Sequence, residues 1–148
     1  MLALDVNIIV SAFRTDAPDH GQMRAWLEGV VNDPEPVGIS DAVLGGAVRI
    51  LTHPRVFSPV TPLPDALSEA TTLRDHDGVV TLVPGSRSWE IFDRLCRSGD
   101  ARGNLVADAQ HAAVAVEHGA TWISKDRDFA RFAGLRWRHP LDRPRRSR

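Results

Sequence analysis

A chain of 148 residues, 43% hydrophobic and 25% charged, fits one globular domain with an ordinary balance of core and surface. Its net charge of −1 argues against the strongly basic surface of a general nucleic-acid binder, and no apolar run approaches the ~20 residues needed to cross a bilayer. Cys96 is the only cysteine, which rules out an intramolecular disulfide, and the first residues lack the segments of a secretion signal, so a cytoplasmic location is expected. Of the 18 basic residues only Lys125 is a lysine. Arginine suits RNA phosphates and bases, but a compositional bias towards arginine accounts for this equally well.

Residues 2–5 read as a short buried strand, and Asn7 to about Arg14 as a helix. Met23, Trp26, Leu27, Val30 and Val31 repeat at helical spacing and stop before Asn32-Asp33-Pro34. Val37-Gly38-Ile39 is a second strand, and Ser40 is a good N-cap for a helix carrying Val43, Leu44, Ala47, Val48 and Leu51, ended by His53-Pro54. Pro64 to Arg74 predicts another helix, Val79 to Val83 a strand, and Ser86 to Ser98 a helix with Trp89, Phe92, Leu95 and Cys96 inward. Residues 104–118 form the clearest helix, striped by Leu105, Ala109, Ala112 and Val116 and closed by Gly119. Ala120 to Ser124 is a strand, Arg127 to Arg131 a helical turn, and Leu135-Arg136-Trp137 the last strand. Short strands alternating with helices predict an α/β fold: a mainly parallel central sheet with helices on both faces.

That architecture gives three aspartates their meaning. Ligands of open α/β sheets bind beyond the carboxyl ends of the strands, and Asp5 and Asp126 each follow an apolar strand there. Asp108 lies about 60° from Leu105 and about 40° from Ala112 around its helix, so it borders the buried stripe. Carboxylates buried together need a cation among them, and hard oxygen donors suit Mg²⁺ or Mn²⁺. Such a site points to phosphodiester hydrolysis. Taken singly, each has an ordinary role: Asp5 and Asp126 as helix caps, Asp108 paired with Arg102 or His111. The conjunction carries the inference.

Asp5-Val6-Asn7 after the first strand, Ser40 leading through Val43-Leu44 to Thr52-His53-Pro54-Arg55-Val56-Phe57, Gly103-Asn104 followed by Asp108-Ala109 and Ala112-Ala113, and Ser124 with Asp126-Arg127-Asp128-Phe129 together resemble the PIN-domain toxins of VapC type, in their mycobacterial branch. The resemblance spans nearly the whole chain and implies a PIN-like nuclease domain over 1–141, with residues 142–148 as a basic flexible tail. It further implies an endoribonuclease that uses Mg²⁺ or Mn²⁺ to cut structured RNA such as tRNA or rRNA. A VapB-type antitoxin would inhibit it, and it would form homodimers; no membrane partner is expected. Carried over by position, Asp5, Asp108 and Asp126 fall on the family's catalytic and metal-binding acids and Asp128 on a less regular neighbour. Asn7 and Ser124 fall where polar side chains orient those carboxylates.

One position departs from the family. Its members usually carry a glutamate in the helix after Ser40, where this chain has Gly46. Asp41 is no substitute, because five helical residues amount to about 7.5 Å of rise and about 140° of rotation. The expected mechanism has Asp5 and Asp108 holding one ion, with Asp126 and Asp128 holding a second or orienting water. Two alternatives stand beside it: a PIN-fold binding module with weak or no catalysis because of Gly46, and a phosphatase with Asp5 as nucleophile. The latter is disfavoured because Asn7 occupies the place of its acid/base carboxylate. Trp26, Trp89 and Trp122 read as core rather than base-stacking residues. Arg49, Arg55, Arg102 and Arg127 read first as solvated charge, with phosphate contact as the alternative.

Overall fold

The computed structural model describes residues 1–142, so of the expected tail 142–148 all but Asp142 lies outside the described residues. β1 (Leu2–Leu4) is three consecutive buried residues, as a central parallel strand requires. It feeds α1 (Val6–Phe13) and α2 (His20–Val31), the latter burying Met23, Leu27 and Val31 on one stripe. β2 (Val37–Ser40) leads into α3 (Asp41–Leu51), whose cap is the Ser40 hydroxyl accepting from the Val43 amide at 3.2 Å. α4 (Leu63–Arg74), β3 (Val79–Leu82), α5 (Ser88–Ser98) and α6 (Asn104–Glu117) follow. β4 (Thr121–Ile123), a 3₁₀ turn (Arg127–Arg131) and β5 (Trp137–Arg138) complete the order. Gly119 ends α6 at a φ of 63°, a left-handed conformation that costs a glycine nothing.

The strands stand in the order β3-β2-β1-β4-β5, every pair parallel. The chain moves from β1 outward to β3 and then crosses back to β4 on the other side of β1. Because parallel crossovers are right-handed, that reversal places α1 to α4 on one face and α5 with α6 on the other. The packing agrees: α1 touches α2 and α3, α3 touches α4, and α5 touches α6. The α/β class and the helices on both faces are as the sequence predicts. Among the described residues no helix is long and apolar enough to cross a membrane.

Two expectations need correction. The last strand begins at Trp137 rather than Leu135, because pairing with Trp122 and Ile123 of β4 defines it, not its own pattern. In α5 the buried residues are Ile91 and Leu95; Phe92 and Cys96 are half-buried, and Trp89 is 74% exposed. This helix carries two apolar stripes, and only contact with α6 selects the one that turns inward.

Candidate active site

β1 and β4 flank the point where the strand order reverses, which is where an open α/β sheet leaves a crevice. Asp5 leaves β1 there and Ser124 leaves β4, so 119 residues of chain close to a hydrogen bond of 2.5 Å from the Ser124 hydroxyl to Asp5 Oδ2. Asn7 Nδ2 donates to the same carboxylate oxygen at 2.9 Å and to Ser124 Oγ at 3.0 Å. The Val6 amide donates to Asp5 Oδ1 at 2.7 Å, which makes Asp5 the N-cap of α1. The Asp126 amide donates to Ser124 Oγ at 3.0 Å, and the Lys125 amide to Asn7 Oδ1 at 3.3 Å. Asp5, Asn7, Ser124 and the start of the Asp126 loop are thus one connected network.

Asp5 is buried, and its three hydrogen bonds favour the charged carboxylate. Loss of solvent outweighs them, aided by the charge of Asp126, and lifts its pKa to about 6. Asp108, half-buried on α6, is also lifted to about 6, first by burial and then by repulsion from Asp5, Asp126 and Asp128. Asp126 and Asp128 are exposed at the lip, where Asp126 Oδ1 accepts from the Asp128 amide at 2.8 Å and caps the 3₁₀ turn. Asp108 and Asp126 line two adjoining hollows. One, of about 370 Å³, is completed by Asp5, Asn7, Ser11, Ile50 and Lys125; the other, of about 570 Å³, by Asp128, Arg102, Asn104 and Arg131.

The donor set is hard oxygen in a concave, like-charged setting, which fits a divalent cation. Among the described residues no three Asp, Glu, His or Cys side chains converge closely enough to enclose an ion. Gly46 bears on the same point. An added Cβ there would meet Val6 Cγ2 at 3.0 Å, beside Asp5, and Ile50 one turn on lines the hollow. The position therefore packs towards Val6, the neighbour of Asp5, and supplies no carboxylate. Asp41 is engaged elsewhere, accepting from Arg74 Nε at 2.7 Å, which holds its pKa below the usual carboxylate range.

Several smaller expectations resolve here. Asp108 bonds to neither Arg102 nor His111; Arg102 lies 3.3 Å from Asp100 instead. His111 is instead half-buried: its ring stacks on Trp122 at 6.2 Å and burial lowers its pKa. Sequence reasoning missed Lys125 and Arg131. Lys125 donates to Ser11 Oγ at 2.6 Å and Asp19 Oδ2 at 2.7 Å, tying the acid loop to α1 and to the start of α2. Its position as the sole lysine, next to Asp126, was the available signal.

The sequence model of the PIN domain matches residues 2–135 of the chain. Ribonuclease VapC43 of Mycobacterium tuberculosis is 47% identical over 142 residues, covering 96% of this chain and 97% of that protein. Ribonuclease VapC25 of the same organism is 35% identical, covering 95% and 99%. Among solved structures, VapBC2 from Rickettsia felis bound to a promoter DNA fragment superposes with a TM-score of 0.68 at 18% identity, over 93% of this chain and 97% of that one. Mycobacterium tuberculosis VapC20, described as a sarcin-ricin loop cleaving toxin, gives 0.66 at 19% identity, over 92% and 99%. At that level of identity the two structures speak for the fold alone.

Proposed function

This chain belongs to the PIN-domain family, among its VapC members, and from that premise we propose that it is a metal-dependent endoribonuclease, the toxin of a toxin-antitoxin pair. The observation that carries the proposal is the convergence of Asp5, Asp108 and Asp126 on one cleft at the reversal of strand order. The full-length relatives carry ribonuclease names, which weighs against a silent binding module. The substrate class is structured RNA such as tRNA or rRNA, and the partner is a VapB-type antitoxin. The apolar side chains of Leu63 and Leu67, exposed on α4, offer surface for the homodimer. The place of action is the cytoplasm.

Asp5 and Asp108 would hold Mg²⁺ or Mn²⁺. Such an ion supplies positive charge at the scissile phosphate and acidifies the attacking water. Asp126, with one oxygen engaged by the Asp128 amide, would have the other available to orient that water, and Asp128 would add a second acceptor at the lip. Arg102 and Arg131, on the rim of the same hollow, pair with a flanking phosphate of the RNA. Asn7 and Ser124 do no chemistry themselves; their hydrogen bonds fix the direction of the Asp5 oxygens.

The test is cleavage of total RNA by the purified chain with mapping of new 5′ ends. Ends are expected with Mg²⁺ or Mn²⁺, lost with a chelator and regained on adding the ion back. A folded chain that produces no ends with either ion overturns the proposal. A second measurement addresses the orienting network. Ser124 is fully buried, and Ser124→Ala deprives the Asn7 and Asp126 N–H groups of their shared acceptor. Mn²⁺ affinity should fall about 10- to 100-fold by calorimetric titration, and urea unfolding should show about 1–3 kcal/mol less stability. Unchanged Mn²⁺ affinity would leave Ser124 a purely structural residue.

A further inference from the structure

Trp89 is 74% exposed, more than any other large hydrophobic side chain described. Its ring packs against Phe92 at 5.3 Å, tilted by 50°, and most of its surface stays open to solvent. Both rings line a recess of about 540 Å³ with Val83, Ser88, Gln110 and His111. The recess is not remote from the acids. Ala3 of β1 pairs with Gly38 of β2, so two residues on, Asp5 and Ser40 end neighbouring strands, which run about 5 Å apart. Ser40 and Leu82 form the recess floor at the ends of β2 and β3. α6 borders both places, giving Asp108 to the acid cleft and His111, one turn on, to the recess.

We propose that this recess receives an unpaired base of the RNA next to the scissile phosphodiester, stacked on Trp89. The inference rests on the endoribonuclease proposal and adds a subsite to it. Among the described residues no lysine or arginine lines the recess, and its one carboxylate, Asp41, is already paired with Arg74, so the lining offers a phosphate no cation and suits an uncharged base. Ser40, Ser88, Gln110 and His111 supply donors and acceptors of the kind a base edge pairs with. A purely apolar peptide side chain would leave those groups without partners. Stacking on an open aromatic face needs no particular base, so the subsite reads the presence of an unstacked base before its identity.

The experiment uses a short RNA carrying one mapped cut, in the intact form and with an abasic nucleotide on either side of that cut. With the intact RNA, Trp89→Ala is expected to raise KM about tenfold or more with kcat little changed. Trp89→Phe should keep most of the affinity, whereas Trp89→Leu, apolar but unable to stack as a ring does, should resemble Trp89→Ala. With the abasic RNA, wild type should lose the same factor, and Trp89→Ala should lose nothing further. Retention of affinity by Trp89→Leu, or equal sensitivity of wild type and variant to the abasic nucleotide, overturns the subsite. So does an effect of Trp89→Ala confined to oligomeric state or to a protein partner. If wild type cuts and Trp89→Ala matches it, only the subsite falls; if wild type cuts no RNA with Mg²⁺ or Mn²⁺, the endoribonuclease proposal falls and takes the subsite with it.

Discussion

Asp108→Asn is expected to abolish RNA cleavage and, at the same time, to raise the melting temperature of the metal-free chain. The substitution keeps the shape of the side chain and removes only its charge. Burial and the charges of Asp5, Asp126 and Asp128 all oppose that charge, and among the described residues no hydrogen bond or ion pair offsets them. Without a metal, therefore, the carboxylate is a strain on the fold; with a metal, it becomes a ligand. Cleavage should fall by more than about a hundredfold, beyond the loss typical of an outer-shell partner. Added Mn²⁺ should raise the melting temperature of wild type, since a ligand that binds the folded state stabilises it, and should leave the variant nearly unmoved.

The pH dependence gives a second reading of the same groups. Asp5 and Asp108 each titrate near 6 in the folded chain, against an ordinary value of 3.8. A proton is thus held more tightly when folded than when unfolded, and protonation favours the fold. That contribution is whole below about 3.8 and is lost as pH rises through about 6. The metal-free wild type should become less stable across this window, and Asp108→Asn should show a shallower fall. A variant that melts lower than wild type in chelator, or that still cuts RNA at the wild-type rate, would remove Asp108 from the site.

Phe129→Ala should produce the largest loss of stability. Phe129 is 1% exposed and lies between Trp122 of β4, at 5.4 Å, and Phe132, at 5.9 Å. It is also the buried anchor of the 3₁₀ turn whose cap is Asp126. Removing the ring leaves a cavity worth about 3–5 kcal/mol, or roughly 10 °C of melting temperature for a chain of this size. Phe129→Leu should recover most of it by refilling the volume. Because Asp126 and Asp128 ride on this anchor, Mn²⁺ affinity should weaken in Phe129→Ala even at temperatures where the chain remains folded. Urea unfolding and Mn²⁺ titration at 15 °C check both statements; a loss under about 1 kcal/mol would mean that the surroundings close over the gap.

Arg14 shows why some of the structure was not legible beforehand. It is one more arginine in the sequence, yet it is buried: it pairs with Asp16 at 2.6 Å, donates to the Pro59 carbonyl at 2.6 Å and lies over the Phe57 ring at 4.3 Å. Nothing local distinguishes it from a solvated charge, because its partners at 57–61 come from another part of the chain. Trp89 was misplaced for a related reason. In α5 the sequence offers one apolar stripe through Trp89, Phe92 and Cys96 and another through Ile91 and Leu95. The moment of a helix says that it has a buried face, but its neighbour α6 decides which face that is.

What the sequence by itself determined was the sort of information that residues close together carry. Helix and strand periods, the Ser40 cap, the Gly119 stop and the location of Asp5 and Asp126 just past apolar strands all follow from local sterics and hydrogen bonding. The tertiary structure alone decided which distant ends meet. Placing β4 against β1 rather than beside β3 brings Ser124 to Asp5, turns Asp108 and Asp126 towards a shared cleft, and opens the recess beneath Trp89 at the neighbouring strand ends. Strand order is set by long-range burial and the handedness of crossovers, which no short stretch of chain encodes.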